Sequence, residues 1–420
     1  MQQLQFEIQN LEKLKESLLL VSKNFEHVSI LDSNNYQEDQ YSEFDYIAGF
    51  GAQSIVTSNN WNDLEVLRKR KTWLFGFLSY DLKNQLEELK SENPDQLNFP
   101  EICFFEPEVL VQIKGNICTI NGHDISAFKT ELDLVKLNWN PIESSVDINS
   151  RISKEKYIKQ VIQLLNHIQL GDIFEVNFCQ EFFAEQAEIH PEKTFSDLIK
   201  KSPVPFSSFF KLNNKYSIGA SPERFIKRVG NEVISQPIKG TSKRGSTKVE
   251  DELLKKELIG NKKERSENVM IVDLVRNDFS RFAKKGSVKV KELLGVYSFP
   301  QVHQLISTIS CEVDGDSSID IIKNCFPMGS MTGAPKVKAM ELIEEYESVK
   351  RGLYSGAIGY IKPNGDFDFN VVIRSILYNA KNKYLSFLVG GAITNNSIPE
   401  TEYEESLLKA KAIFEVLNNN

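Results

Sequence analysis

An α+β fold is predicted from two observations: several long stretches carry helical periodicity, and strand-like runs cluster along the chain. Trp73 to Asp81 reads as a buried strand from its aromatic and aliphatic density. The rest of residues 1–140 alternates short apolar runs with polar stretches such as Asp32-Ser33-Asn34-Asn35. Asn138 to Arg151, rich in Asn, Ser, Pro and Asp, is the expected linker. It separates an N-terminal region, 1–140, from a second region, 150–418, and the two are expected to share one packed core. A helix follows from about Lys154 to Leu170, where Tyr157, Val161, Leu164, Leu165 and Ile168 recur at helical spacing and Gly171 stands at the C-terminal cap. Ile173 to Phe183 reads as a strand. Further helices are expected over Lys262 to Phe282 and Thr401 to Leu417. Strand-like runs at Tyr354 to Ile361, Phe367 to Tyr378 and Tyr384 to Val389 precede the last helix.

The 420 residues are enough for one large or two ordinary domains, and 41% hydrophobic with 26% charged residues is a soluble globular composition. A net charge of −8 and the lack of a basic run argue against nucleic acid as a partner. No apolar run reaches a membrane span, and the N-terminus lacks a signal-peptide pattern, so a cytoplasmic protein without a membrane partner is expected. The five cysteines (Cys103, Cys118, Cys179, Cys311, Cys325) form no C-x-x-C pair and read as reduced core thiols.

The most informative stretch is Gln236-Pro237-Ile238-Lys239-Gly240-Thr241. Lys239 is either a solvated turn lysine or a nucleophile. A free lysine has a pKa of about 10.4, so bringing it near 7 needs roughly 4–5 kcal/mol of stabilisation of the neutral amine. Burial or a nearby divalent cation acts in that direction. Upstream lies Ser221-Pro222-Glu223-Arg224-Phe225. Glu264 and Glu267 are three apart in one predicted helix, as are Glu402 and Glu405 in another, so each pair shares a face. An acidic helix face is often only solvated; two facing each other would suit a hard cation such as Mg²⁺.

In this order, together with Lys263-Glu264-Arg265-Ser266-Glu267-Asn268, Ile271 to Asp278, Met331-Thr332-Gly333-Ala334-Pro335-Lys336 and Glu402-Tyr403-Glu404-Glu405, these motifs resemble the chorismate-utilising enzymes. The resemblance covers roughly residues 154–415, with Trp73 to Asp81 similar to an N-terminal family segment. It implies two large antiparallel sheets packed face to face, helices outside, and an active site in the cleft between them. Within the family, Lys239 is similar to the lysine of the aminodeoxychorismate synthases, which attacks C2 of chorismate and expels the C4 hydroxyl before ammonia adds at C4. Anthranilate synthases usually have alanine there. The resemblance further implies Glu223 as the general acid, His303 near the leaving group, and Mg²⁺ held by Glu267 and Glu405, with Glu264 and Glu402 acting through water. It places Arg374, Tyr360, Lys409, Thr241, Thr332, Gly333, Gly390 and Gly391 around the substrate.

Two departures stand out. Glu175 occupies the position of a base lysine in the water-using branches and of glutamine in the ammonia-using ones, which argues against water as the nucleophile. Met328 stands where glycine is common. The sequence shows no Gly-x-Cys-x-Gly nucleophile elbow, so ammonia is expected from a separate glutamine amidotransferase subunit. The rival expectations are anthranilate synthase component I and a non-catalytic chorismate-binding regulatory subunit.

Overall fold

A computed structural model describes residues 2–36, 38–137, 139, 146–299, 302–315 and 318–418. Residues 138 and 140–145, within the expected linker, lie outside the described residues. The described strands form two antiparallel sheets of twelve and ten strands. Each sheet draws on both ends of the chain. In the larger one, His27–Asp32 pairs with Phe206–Leu212. In the smaller one, Leu74–Leu78 pairs with Ala357–Ile361.

The sheets meet through aromatic side chains at one end. Phe77 and Phe105 of the smaller sheet pack edge-on against Phe210 of the larger at 5.0 and 5.9 Å, and all three are fully buried. Helices Leu11–Val21, Pro191–Lys201 and Pro399–Leu417 contribute to a second core, on the far side of the larger sheet. The fold is thus the α+β, two-sheet architecture the sequence implied.

The expected elements appear with local adjustments. Helix Lys154–Leu170 is capped by the Ser153 side chain, which accepts from Lys156 N–H, and it ends at Gly171 with φ +84°. Helix Lys262–Ser280 is capped by Asn261 Oδ1, which accepts from the Lys263 and Glu264 amides. The run expected as one strand from Phe367 to Tyr378 is two, Phe367–Asn370 in the smaller sheet and Ser375–Asn379 in the larger. Residues 371–374 carry the chain between sheets, and Arg374 absorbs the change of direction at φ +50°. Pro222 and Glu223 make a parallel crossing, between strands Lys215–Ser221 and Arg224–Val229. The five cysteines are buried free thiols, and no described helix is long and apolar enough to cross a membrane.

Candidate active site

The two crossings converge on a cleft of about 830 Å³. One wall is strand Ile238–Lys243, at the edge of the smaller sheet. Its pairing with Val302–Glu312 slips between Ile238 and Thr241, a bulge that re-aims Lys239. Gly240 makes the bulge possible: its φ is +100°, and a Cβ there would lie 3.0 Å from Leu305 and 3.2 Å from the Glu264 carboxylate. Asn268, fully buried in helix Lys262–Ser280, fixes this strand by donating to the Lys239 and Leu305 carbonyls at 3.2 and 3.3 Å.

Lys239 is 9% exposed, and its ammonium lies 2.6 Å from Glu175, which is 2% exposed on the larger sheet. Burial works against that ammonium, but Glu175, Glu267 and Glu223 together outweigh it and hold its pKa above the ordinary lysine value. Glu223 lies on the same cleft, and burial raises its carboxyl to about 7 against the opposing pull of Lys239 and Arg374. Such a carboxyl still carries a proton near neutrality. Arg374 lines the cleft with no side-chain hydrogen bond or ion pair among the described residues, and burial lowers its pKa to about 10. A guanidinium left without a protein partner is available to a carboxylate ligand.

Glu264, Glu267, Glu402 and Glu405 all face this cleft from the two helices. Lys263 bridges them, 2.7 Å from Glu402 and 3.7 Å from Glu267, and Lys409 pairs with Glu405 at 2.7 Å. Burial raises Glu267 to about 7, while Lys409 holds Glu405 below the usual carboxylate value. Among the described residues no three His, Cys, Asp or Glu side chains form a ready metal cage. The donor chemistry nonetheless fits a hard cation: four carboxyl groups line the cleft, and the single Lys263 ammonium pairs with two of them.

Thr241, Gly390 and Gly391 also line the cleft. The Gly390 carbonyl accepts from Lys409 at 3.0 Å. Four expected site residues lie elsewhere. His303 is fully buried and bonds Ser298 and Asp251, each at 2.9 Å. Its neighbour Gln304 lines the cleft, because successive residues of a strand face opposite ways. Tyr360 packs among Phe44, Trp73 and Phe75 and borders a separate cavity with Asp39 and Arg224. Tyr354 is the tyrosine on the cleft. Thr332 is fully buried, with its hydroxyl donating to the carbonyls of Met328 and Gly329. Gly333 lies so close to the Glu175–Ala184 strand that a Cβ would meet the Glu175 carbonyl at 2.1 Å. The Thr332-Gly333 signature therefore braces the strand carrying Glu175 and Asn177. Its neighbours Ser330 and Met331 form the lining.

The chain belongs to the chorismate binding enzyme family, whose model matches residues 17–415. It is 36% identical over 369 residues to anthranilate synthase component 1 of Acetivibrio thermocellus, covering 81% of this chain and 74% of that protein. It is 34% identical over 360 residues to aminodeoxychorismate synthase component 1 of Bacillus subtilis, covering 81% and 76%. The crystal structure of anthranilate synthase component I from Streptococcus pneumoniae superposes with a TM-score of 0.80 at 26% identity, covering 90% of this chain and 93% of that one.

Proposed function

We propose that this chain is component I of an aminodeoxychorismate synthase, converting chorismate and ammonia to 4-amino-4-deoxychorismate on the route to 4-aminobenzoate and folate. The observation that carries the reading is Lys239, aimed by the Gly240 bulge into the cleft that also holds Glu223 and Arg374. Lys239 attacks ring C2 while Glu223 delivers its proton to the departing C4 hydroxyl, and ammonia then adds at C4 as the lysine leaves. Arg374 and Lys409 receive substrate carboxylates. Gln304, which faces the cleft where His303 was expected to, can donate a hydrogen bond but cannot transfer a proton at neutral pH, so Glu223 is left as the acid.

Glu267 and Glu405 are the residues proposed to hold Mg²⁺, with Glu264 and Glu402 reached through water. When bound, the ion supplies positive charge that neutralises the ring carboxylate of the substrate. Ammonia is proposed to come from a separate glutamine amidotransferase subunit, in the cytoplasm.

The second reading is anthranilate synthase component I, favoured by the 36% identity to a protein of that name. Product analysis separates the two. The purified chain is incubated with chorismate, Mg²⁺ and ammonium, and the products are resolved by chromatography with mass detection. Aminodeoxychorismate, converted to 4-aminobenzoate on adding a lyase, is the expected result. Fluorescent anthranilate would transfer the chain to the other branch. Chorismate binding without any product would favour a regulatory subunit.

A further inference from the structure

Lys239 must lose a proton before it can attack, and a carboxylate in direct contact with its ammonium is placed to take it. Glu175 touches Lys239 Nζ at 2.6 Å, and both side chains are shielded from water. The two come from different sheets, so their contact is made by the packing of the fold. Among the described residues, each is the other's ion-pair partner. The position of Glu175 is also tightly fixed. It pairs with Ala334 on one side and Thr394 on the other, the Phe174 amide donates to the Ala334 carbonyl at 2.7 Å, and Gly333 leaves no room for the strand to drift.

We propose that Glu175 is a catalytic base, taking the proton from the Lys239 ammonium so that a free amine faces the substrate. The inference rests on the reading of Lys239 as a nucleophile. Moving the proton from Nζ to the carboxylate turns a buried ion pair into two neutral groups, a transfer that burial favours against the pull of Glu175, Glu267 and Glu223 that holds the proton on Nζ at rest. The C2–N bond then forms as the ring double bonds shift and the C4–O bond breaks, and the hydroxyl leaves as water with the proton from Glu223. When ammonia adds at C4, the C2–N bond breaks. Lys239 recovers its proton from Glu175, and the surplus proton on the new C4 ammonium returns to the Glu223 carboxylate. No proton is exchanged with solvent in the cycle.

That closed circuit gives a pH signature distinct from that of a carboxylate which merely neutralises the lysine. A pair that keeps its own proton adds no pH dependence of its own, which leaves only the shallow fall as Glu223 deprotonates. A lysine without a base must first release its proton to water, so its rate climbs about tenfold per pH unit below its pKa. A carboxylate that only neutralised the ammonium would hold the amine back, and its removal would speed the reaction.

The test is the rate at which intact wild-type and Glu175→Gln chains gain the mass of chorismate less water, with Mg²⁺ present and ammonium omitted, between about pH 6 and 7. Melting temperature and Mg²⁺-dependent chorismate binding serve as controls for folding. The expected result is a wild type whose rate falls only about twofold across this range, as Glu223 loses its proton, and a Gln variant about 10²-fold slower whose rate rises with pH. Glu175→Asp, with its carboxylate drawn back by one methylene, is expected to be slower yet to keep the wild-type pH profile. A Gln variant as fast as wild type or faster, or one with the wild-type pH profile, overturns the proposal. So does an Asp variant whose rate rises with pH. A wild type that makes product without any adduct overturns the covalent reading itself, and that outcome is recognisable because it needs no variant.

Discussion

The two ends of the layer between the sheets have opposite character. At one end Phe77, Phe105 and Phe210 interlock with no charge between them. At the other, the same sheets part around Glu175, Glu223, Lys239 and Arg374, with the acidic helix faces alongside. The dry end gains stability from apolar burial, and the charged end loses some, because removing ions from water costs more than imperfect pairing returns. The aromatic end thus lets the fold tolerate a cleft of buried, imperfectly paired charges.

The largest expected effect comes from the dry end. Phe210→Ala should destabilise the chain by about 3–5 kcal/mol in denaturant titration, through lost burial and the cavity left behind. A cost near zero would remove the contrast between the two ends.

The charged end should answer in the opposite direction. Glu223 carries a folded pKa of about 7 against an ordinary 4.5. Below 4.5 the group is protonated folded or unfolded and has no effect. As pH rises to 7 the unfolded chain releases the proton and the folded chain keeps it, so stability falls. Above 7 the folded state holds a buried carboxylate at a cost of about 3 kcal/mol. Glu223→Gln should therefore be more stable than wild type by up to that amount at pH 8, with the gain fading towards pH 4.5. The same protonation makes activity fall above about pH 7 in wild type. A Gln variant that is less stable at pH 8 would show that the cleft is not strained.

The smallest effect sharpens the boundary of the cleft. Tyr360 lies outside it, so Tyr360→Phe should change KM for chorismate by less than about twofold and stability by about 1 kcal/mol or less. A large rise in KM would extend the substrate site into the neighbouring cavity.

Much of this contrast was legible in the sequence. Helix Lys154–Leu170 announces itself by its local spacing and by Gly171. Lys239, Glu223, Arg374 and the four helix glutamates were found by motif, and all seven line the cleft. His303 and Gln304 could not be assigned their faces from sequence, because a one-residue change of register exchanges the two sides of a strand. Tyr354, expected at the start of a strand, lies in the turn before strand Ala357–Ile361, and no local pattern marks that turn as cleft lining. The break at residues 371–374 was hidden because a crossing between sheets leaves the apolar pattern intact. The contact of Glu175 with Lys239 depends on how two sheets stack, which no local pattern encodes.

The central claim is that Lys239 is the nucleophile, and Lys239→Ala tests it most directly. The variant is assayed for aminodeoxychorismate by mass-detected chromatography, and for Mg²⁺-dependent chorismate binding by calorimetry. The account predicts that binding persists while aminodeoxychorismate formation is abolished or diverted to another product. Unchanged aminodeoxychorismate at an unchanged rate would contradict it.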